Sequence, residues 1–150
     1  MANLPATFTE MEMNKKLYST KIQIRFNDID LAGHVYNAKY QEFFDLGRVD
    51  YFNEVLDNLI SWTGTGLVIA SVTVDYKKPV YLEDKVEVVS NVVALGDKSL
   101  EMFQQIFKND ELEPVATGKT VMVCYDMQSK VSMRIPDSWR EKFKVAEPGL

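Results

Sequence analysis

Asn37-Ala38-Lys39-Tyr40-Gln41-Glu42-Phe43-Phe44-Asp45-Leu46-Gly47-Arg48-Val49-Asp50-Tyr51-Phe52-Asn53-Glu54-Val55 is the stretch on which the fold turns. Tyr40, Phe44, Gly47, Tyr51 and Val55 recur at spacings of three and four, flanked by Phe43, Leu46, Phe52 and Leu59. That period predicts a long helix, apolar enough to be buried on more than one side. Asn37, whose side chain can accept from the free N–H groups of a first turn, is the expected N-cap. Upstream the period is two. Tyr18, Thr20, Ile22, Ile24 and Phe26 fall on one face and Ser19, Lys21, Gln23 and Arg25 on the other, a half-buried strand. After Trp62-Thr63-Gly64-Thr65-Gly66 the chain reads as strand over residues 67–76, 85–95, 99–107 and 115–126, with turns at Gly96-Asp97 and over the polar residues 108–113. Pro136 opens a short amphipathic helix over residues 137–143. The order is α+β, one long helix packed on an antiparallel sheet.

Composition narrows the function. A chain of 150 residues fits one domain over residues 1–150 and is long enough to bury a real core, with residues 1–16 as a tail or loosely docked arm. No apolar run approaches the roughly 18 residues of a membrane span, and residues 1–17 have no apolar core of a secretory signal. Cys124 is the sole cysteine, so no intramolecular disulfide forms, which suits a reducing cytoplasm. A net charge of −5 argues against nucleic-acid binding, which needs clustered cations, while leaving room for a local basic patch. With His34 the sole histidine, no metal site of the Cys/His kind is expected.

The chemistry concentrates in Arg25-Phe26-Asn27-Asp28-Ile29-Asp30-Leu31-Ala32-Gly33-His34-Val35-Tyr36-Asn37-Ala38-Lys39-Tyr40. Two acids, a glycine and the histidine stand between a strand and a helix N-terminus, where free N–H groups and the positive end of the helix dipole gather. Such a terminus can steady an oxyanion, and an adjacent carboxylate can serve as nucleophile or as base for water. Read from the residues alone, Asp-x-Asp in a loop is more often a turn or capping device than a catalytic one.

The pattern Arg-x-x-Asp-x-Asp-x-x-Gly-His-Val-x-Asn-x-x-Tyr, followed on the helix by Phe-Phe-Asp-Leu-Gly-Arg, resembles the signature of hot-dog acyl-CoA thioesterases of the 4-hydroxybenzoyl-CoA thioesterase family. Val74-Asp75-Tyr76-Lys77-Lys78-Pro79-Val80 and Leu82-Glu83-Asp84 resemble the same family's later strands, and the likeness runs over residues 18–125. The resemblance implies a hot-dog fold, a helix wrapped by a curved antiparallel sheet, working as a homodimer or homotetramer. It implies hydrolysis of an acyl-CoA or acyl-carrier-protein thioester, with coenzyme A as part of the substrate and no metal or redox cofactor. Asp30 falls on the family's essential carboxylate, as nucleophile or general base, and the Asn37 N–H, seven positions later, on the group that polarises the thioester oxygen. Asp28 would orient the loop. His34 would touch the thioester, hold Asp30, or pack in the loop.

Other residues carry plainer readings beside the functional ones. Tyr36 and Tyr40 could line an acyl pocket or simply be core. Lys77 and Lys78 are a solvated strand end or a receptor for a nucleotide phosphate. Asp45 and Arg48 form an intrahelical pair, with Asp45 the second candidate base, because another hot-dog subfamily uses a helix acid. Cys124 shares a strand face with Thr120 and Met122 and reads as core. A hydratase or dehydratase acting on acyl thioesters, and a non-catalytic acyl-thioester binding module, remain open beside hydrolysis. The negative charge disfavours an acidic carrier protein.

Overall fold

The computed structural model describes residues 16–150, so the tail expected over residues 1–16 lies, but for Lys16, outside the described residues. The described chain runs β1 (Ser19–Ile22), a 3-10 turn (Phe26–Asp28), α1 (Lys39–Val55), β2 (Thr65–Tyr76), β3 (Val86–Leu95), β4 (Ser99–Lys108), β5 (Ala116–Asp126), β6 (Val131–Ser132) and α2 (Asp137–Ala146). Its strands form a six-stranded sheet in the order β1-β3-β4-β5-β2, antiparallel at every pairing, with β6 added to β5. Register slips between Ile69 and Ser71 on β2 and between Val92 and Ala94 on β3 are bulges of the kind that bend a strand. The α+β reading of one long helix on an antiparallel sheet holds.

Alternation along the strands decides the core. Val88, Ser90 and Val92 of β3, Met102, Gln104 and Ile106 of β4, and Thr120, Met122 and Cys124 of β5 all face inward and are buried. α1 lays Tyr40, Phe43, Phe44, Tyr51, Phe52 and Val55 on that face. The apolar contacts divide into two clusters. One joins Tyr51, Phe52 and Val55 to Val92, Met102 and Met122, and receives Trp139 and Phe143 from α2. The other joins Tyr40, Phe43 and Phe44 to Ile22, Val80, Val88 and Ile106.

A polar belt runs between the clusters. Arg48 Nη1 donates to Gln104 Oε1 at 2.9 Å and to Thr120 Oγ1 at 3.1 Å, and Nη2 donates to Asp45. Gln104 Nε2 donates to Ser90 Oγ at 2.9 Å and to the Phe44 carbonyl at 3.0 Å. Every member is satisfied, which is the condition for a buried polar network to be tolerated. At the C-terminal end, Glu147 accepts from Tyr51 Oη at 3.0 Å and Asn91 Nδ2 at 3.1 Å, and burial pushes the Tyr51 phenol well up.

Three expectations need correction. The first strand ends at Ile22, and Phe26, expected on its buried face, stands 83% exposed in the 3-10 turn. The cause is Asp28, whose carboxylate accepts the Arg25 N–H and closes that turn. Asn37 is not the N-cap. Lys39 N–H closes onto Tyr36 O at 2.9 Å, so helical geometry begins earlier in the backbone and the cap falls on Ala38. Within this chain α1 buries only its sheet-facing side, leaving Leu46 and Val49 half exposed.

α1 approaches the sheet most closely at Gly47, where an added Cβ would stand 2.9 Å from Gln104 Nε2, Ser90 Oγ and Val88 Cγ1 alike. Gly47→Ala is therefore expected to lower stability by about 1–3 kcal/mol, the usual cost of overpacking, read as a lower urea midpoint at unchanged m-value.

Candidate active site

Between β1 and α1 the chain folds on itself by backbone bonds. Ile29 and Val35 pair as an antiparallel bridge. Inside it, Asp30 N–H donates to His34 O at 3.1 Å and Gly33 N–H to Asp30 O at 3.0 Å. Asp30 Oδ1 accepts the Ala32 N–H at 2.8 Å, an Asx turn, while its second oxygen has no hydrogen-bond partner among the described residues. Gly33 takes φ +82°, a region costly for other residues, which is why the turn needs glycine there.

Asp28 anchors the loop from below. It is 1% exposed, with Oδ2 on the Arg25 N–H at 2.8 Å and its backbone carbonyl on the Tyr36 N–H, also at 2.8 Å. Its Oδ1 makes no hydrogen bond and faces Lys39 Nζ at 3.9 Å. Lys39 is the first residue of α1, so a buried carboxylate ties the loop electrostatically to the helix start. This geometry matches the loop-orienting part expected of Asp28.

A cleft of about 500 Å³ opens over this loop, lined by Asp30, His34, Val35, Asn37, Tyr40, Tyr76, Lys77, Lys78 and Pro79. Six of the seven residues nominated from the sequence thus border one cleft. Tyr36 is the exception. Half exposed, it contributes its backbone to the loop rather than its ring to the cleft. Neither Asn37 nor Ala38 donates its N–H to any described residue, so two free donors stand at the helix start. Tyr76 Oη donates to the Asn37 carbonyl at 3.1 Å and meets the Tyr40 ring edge-on at 5.0 Å. Tyr40 is buried, and burial raises its phenol above the ordinary range, with Tyr76 adding to it. His34 stays partly exposed, with Nδ1 3.5 Å from the Val35 carbonyl and its ring edge-on to Tyr81. Lys78 pairs with Glu111 at 3.6 Å, while the Lys77 ammonium has no partner among the described residues.

Val35, Tyr76 and Pro79 line the cleft without being nominated from the sequence, and Tyr76 alone of the three brings a polar side chain to it. Tyr76 lies 39 positions from the carbonyl it holds, and nothing local in the sequence announces that pairing. Asp45 lies elsewhere. Paired to Arg48 and largely exposed, it borders a second groove of about 640 Å³ with Val49, Phe52, Trp62 and Ile69. Cys124 is fully buried and burial pushes its thiol up, as suits a core residue.

Comparison with known proteins gives the family and the fold. The model of the thioesterase-like superfamily matches residues 24–143. The long-chain acyl-CoA thioesterase FadM of Escherichia coli K12 is 27% identical, over 83% of this chain and 96% of that protein. The acyl-CoA thioester hydrolase YbgC of Escherichia coli O6:H1 is 25% identical, over 88% and 99%. Among solved structures, a thioesterase of Thermus thermophilus in complex with coenzyme A and zinc superposes with a TM-score of 0.77 at 31% identity, covering 88% of this chain and 95% of that one. The architecture is the hot-dog fold. Among the described residues of the present chain, no group of three or more His, Cys, Asp or Glu side chains is arranged to hold a metal ion.

The Gly33 position can be tested without any substrate. A Cβ there would meet nothing within 4 Å, so only the backbone conformation resists it. Gly33→Ala is expected to cost about 1–2 kcal/mol in chemical denaturation and Gly33→Asn measurably less, because asparagine tolerates positive φ.

Proposed function

The chain belongs to the thioesterase-like superfamily, and on that footing we propose that it hydrolyses acyl-CoA thioesters to the free acid and coenzyme A. The observation that carries this reading is the shared cleft: an acid with one free oxygen, and Asn37, whose backbone N–H is free, at a helix start. Asp30 is the reactive carboxylate. In one course it attacks the thioester carbonyl, a C–O bond forms, the C–S bond breaks, and water opens the resulting anhydride. In the other it takes a proton from water, whose oxygen makes that C–O bond directly. Sulfur leaves as thiolate in both and is protonated from solvent. The Asn37 N–H, aided by the helix dipole, steadies the oxyanion that develops before C–S cleavage. His34, on the same loop, borders the cleft beside Asp30. Tyr40 borders the acyl group, Tyr36 supports the loop through its backbone, and Lys77 and Lys78 meet the phosphates of coenzyme A at the rim. The reaction so written uses protein groups and water, with coenzyme A entering as part of the substrate.

FadM and YbgC, whose names specify acyl-CoA, favour coenzyme A over an acyl carrier protein as the thiol carrier. β2 is an edge of the described sheet, and an unpaired edge invites a partner strand. We therefore assign a homodimer, or a dimer of dimers. A cytoplasmic address accords with one buried, unpaired cysteine.

Thiol release from short, medium, long and aromatic acyl-CoAs tests the reading. Asp30→Asn is expected to lose ~10²–10⁴-fold in kcat with its fold intact, and His34→Ala to lose less. Near wild-type turnover in Asp30→Asn would remove Asp30 from the chemistry. A failure of wild type to release thiol from any acyl-CoA or acyl-carrier-protein substrate would remove hydrolysis.

A further inference from the structure

Residues 79–85 belong to no helix or strand, yet they brace the reactive loop. Pro79 lines the cleft. The Val80 carbonyl accepts the Val35 N–H at 2.7 Å, and the Val80 side chain is fully buried in the cluster that holds Tyr40. Tyr81 presents its ring edge-on to His34, 6.4 Å between centroids. An irregular segment of this kind holds its position only where something outside it supplies the missing bonds.

Lys108, the last residue of β4, supplies them. Its side chain is 11% exposed, and its ammonium donates to Pro79 O at 2.9 Å and to Asp84 Oδ2 at 3.2 Å. The same ammonium lies over the Tyr81 ring, 5.2 Å from its centroid. Asp84 closes the clamp from within the segment, accepting the Tyr81 N–H at 2.8 Å on Oδ2 and Asn109 Nδ2 at 2.7 Å on Oδ1. Burial opposes charge on Asp84, but these donors outweigh it and hold the carboxyl below its ordinary range. Lys108 is not among the residues lining the Asp30 cleft.

We propose that Lys108 is a positioning residue. By gripping Pro79, Tyr81 and Asp84 together, it holds Val80 and Tyr81 against the Asp30–His34 turn and so sets the reactive loop. The geometry stands by itself, and the kinetic consequence rests on the hydrolase reading above. Methionine at this position keeps an unbranched stem and removes the charge and all three donors, so it isolates the ammonium.

Because His34 is the sole histidine, its ring Cε1–H gives one proton resonance, which the edge-on Tyr81 ring shifts. In Lys108→Met that resonance is expected to move, and kcat for acyl-CoA to fall roughly 10-fold to 100-fold while KM stays within about twofold. Lys108→Arg, which keeps charge and donors, should recover part of both. Lys119→Met, which removes an exposed ion pair with Glu101, should leave both unchanged. An unmoved resonance overturns the proposal, and so does a moved resonance with unchanged kcat. If Lys108→Met does not fold, Asp84→Asn loosens the same clamp from its other side and is judged by the same two readouts. A wild type that hydrolyses no thioester sinks the hydrolase reading instead, and the His34 resonance then decides whether Lys108 positions the turn.

Discussion

The close approach of α1 to the sheet at Gly47 is the constraint around which this molecule is arranged. With no Cβ in the way, the helix backbone comes down onto Val88, Ser90 and Gln104, and the Phe44 carbonyl comes within reach of the Gln104 amide. The ridge of contact is polar. Arg48, Gln104, Ser90 and Thr120 satisfy one another in a layer where apolar side chains of ordinary size would hold the two surfaces apart. The apolar residues are displaced to either side of this belt, which is why the core falls into two clusters.

The position of the site follows from that contact. Once Gly47 fixes the height of the helix, its first turn must lie over the cluster built from Ile22, Val80 and Ile106. The loop from β1 then has only a short distance to cover and turns sharply, with Gly33 in the left-handed region and Asp28 buried beneath. Burying a carboxylate is costly unless it is bonded and paired. Asp28 meets the condition through the Arg25 N–H and the nearby Lys39 ammonium, and the loop is thereby fastened to the helix it precedes. Asp30, two residues on, has the opposite environment: one oxygen held by Ala32, the other open to the cleft. Two acids of one motif thus differ in burial and in bonding partners.

The fold is shared widely within the thioesterase-like superfamily, and a fold by itself does not select a chemistry. The two grooves of this chain differ in content. The cleft over Asp30 is rimmed by lysines and tyrosines, whereas the groove beside Asp45 is lined by Val49, Phe52, Trp62 and Ile69. Asp45 is bound up in the polar belt through Arg48, so the second candidate acid serves the helix–sheet contact rather than the cleft.

Much of this was legible in the chain itself. The three-and-four spacing of Tyr40, Phe44, Gly47, Tyr51 and Val55 against two-residue alternation elsewhere determined an α+β architecture, because side-chain direction in helix and strand repeats with those periods. The spacing of Asp28, Asp30, Gly33, His34 and Asn37 marked the loop. Local pattern failed where a residue's surroundings come from far along the chain. Phe26 continues the alternation of its strand, but Asp28 draws the backbone into a turn and leaves the ring in solvent. Asn37 looks like a cap, yet the cap falls on Ala38, and Tyr76, from the far end of β2, holds the Asn37 carbonyl. Nothing local pairs Lys108 with Asp84; the sheet brings the end of β4 against residues 79–85. Periodicity records which face a residue shows to the core, and that much is local. Which partners wait on that face is set by strand order and register, and only the tertiary structure decides those.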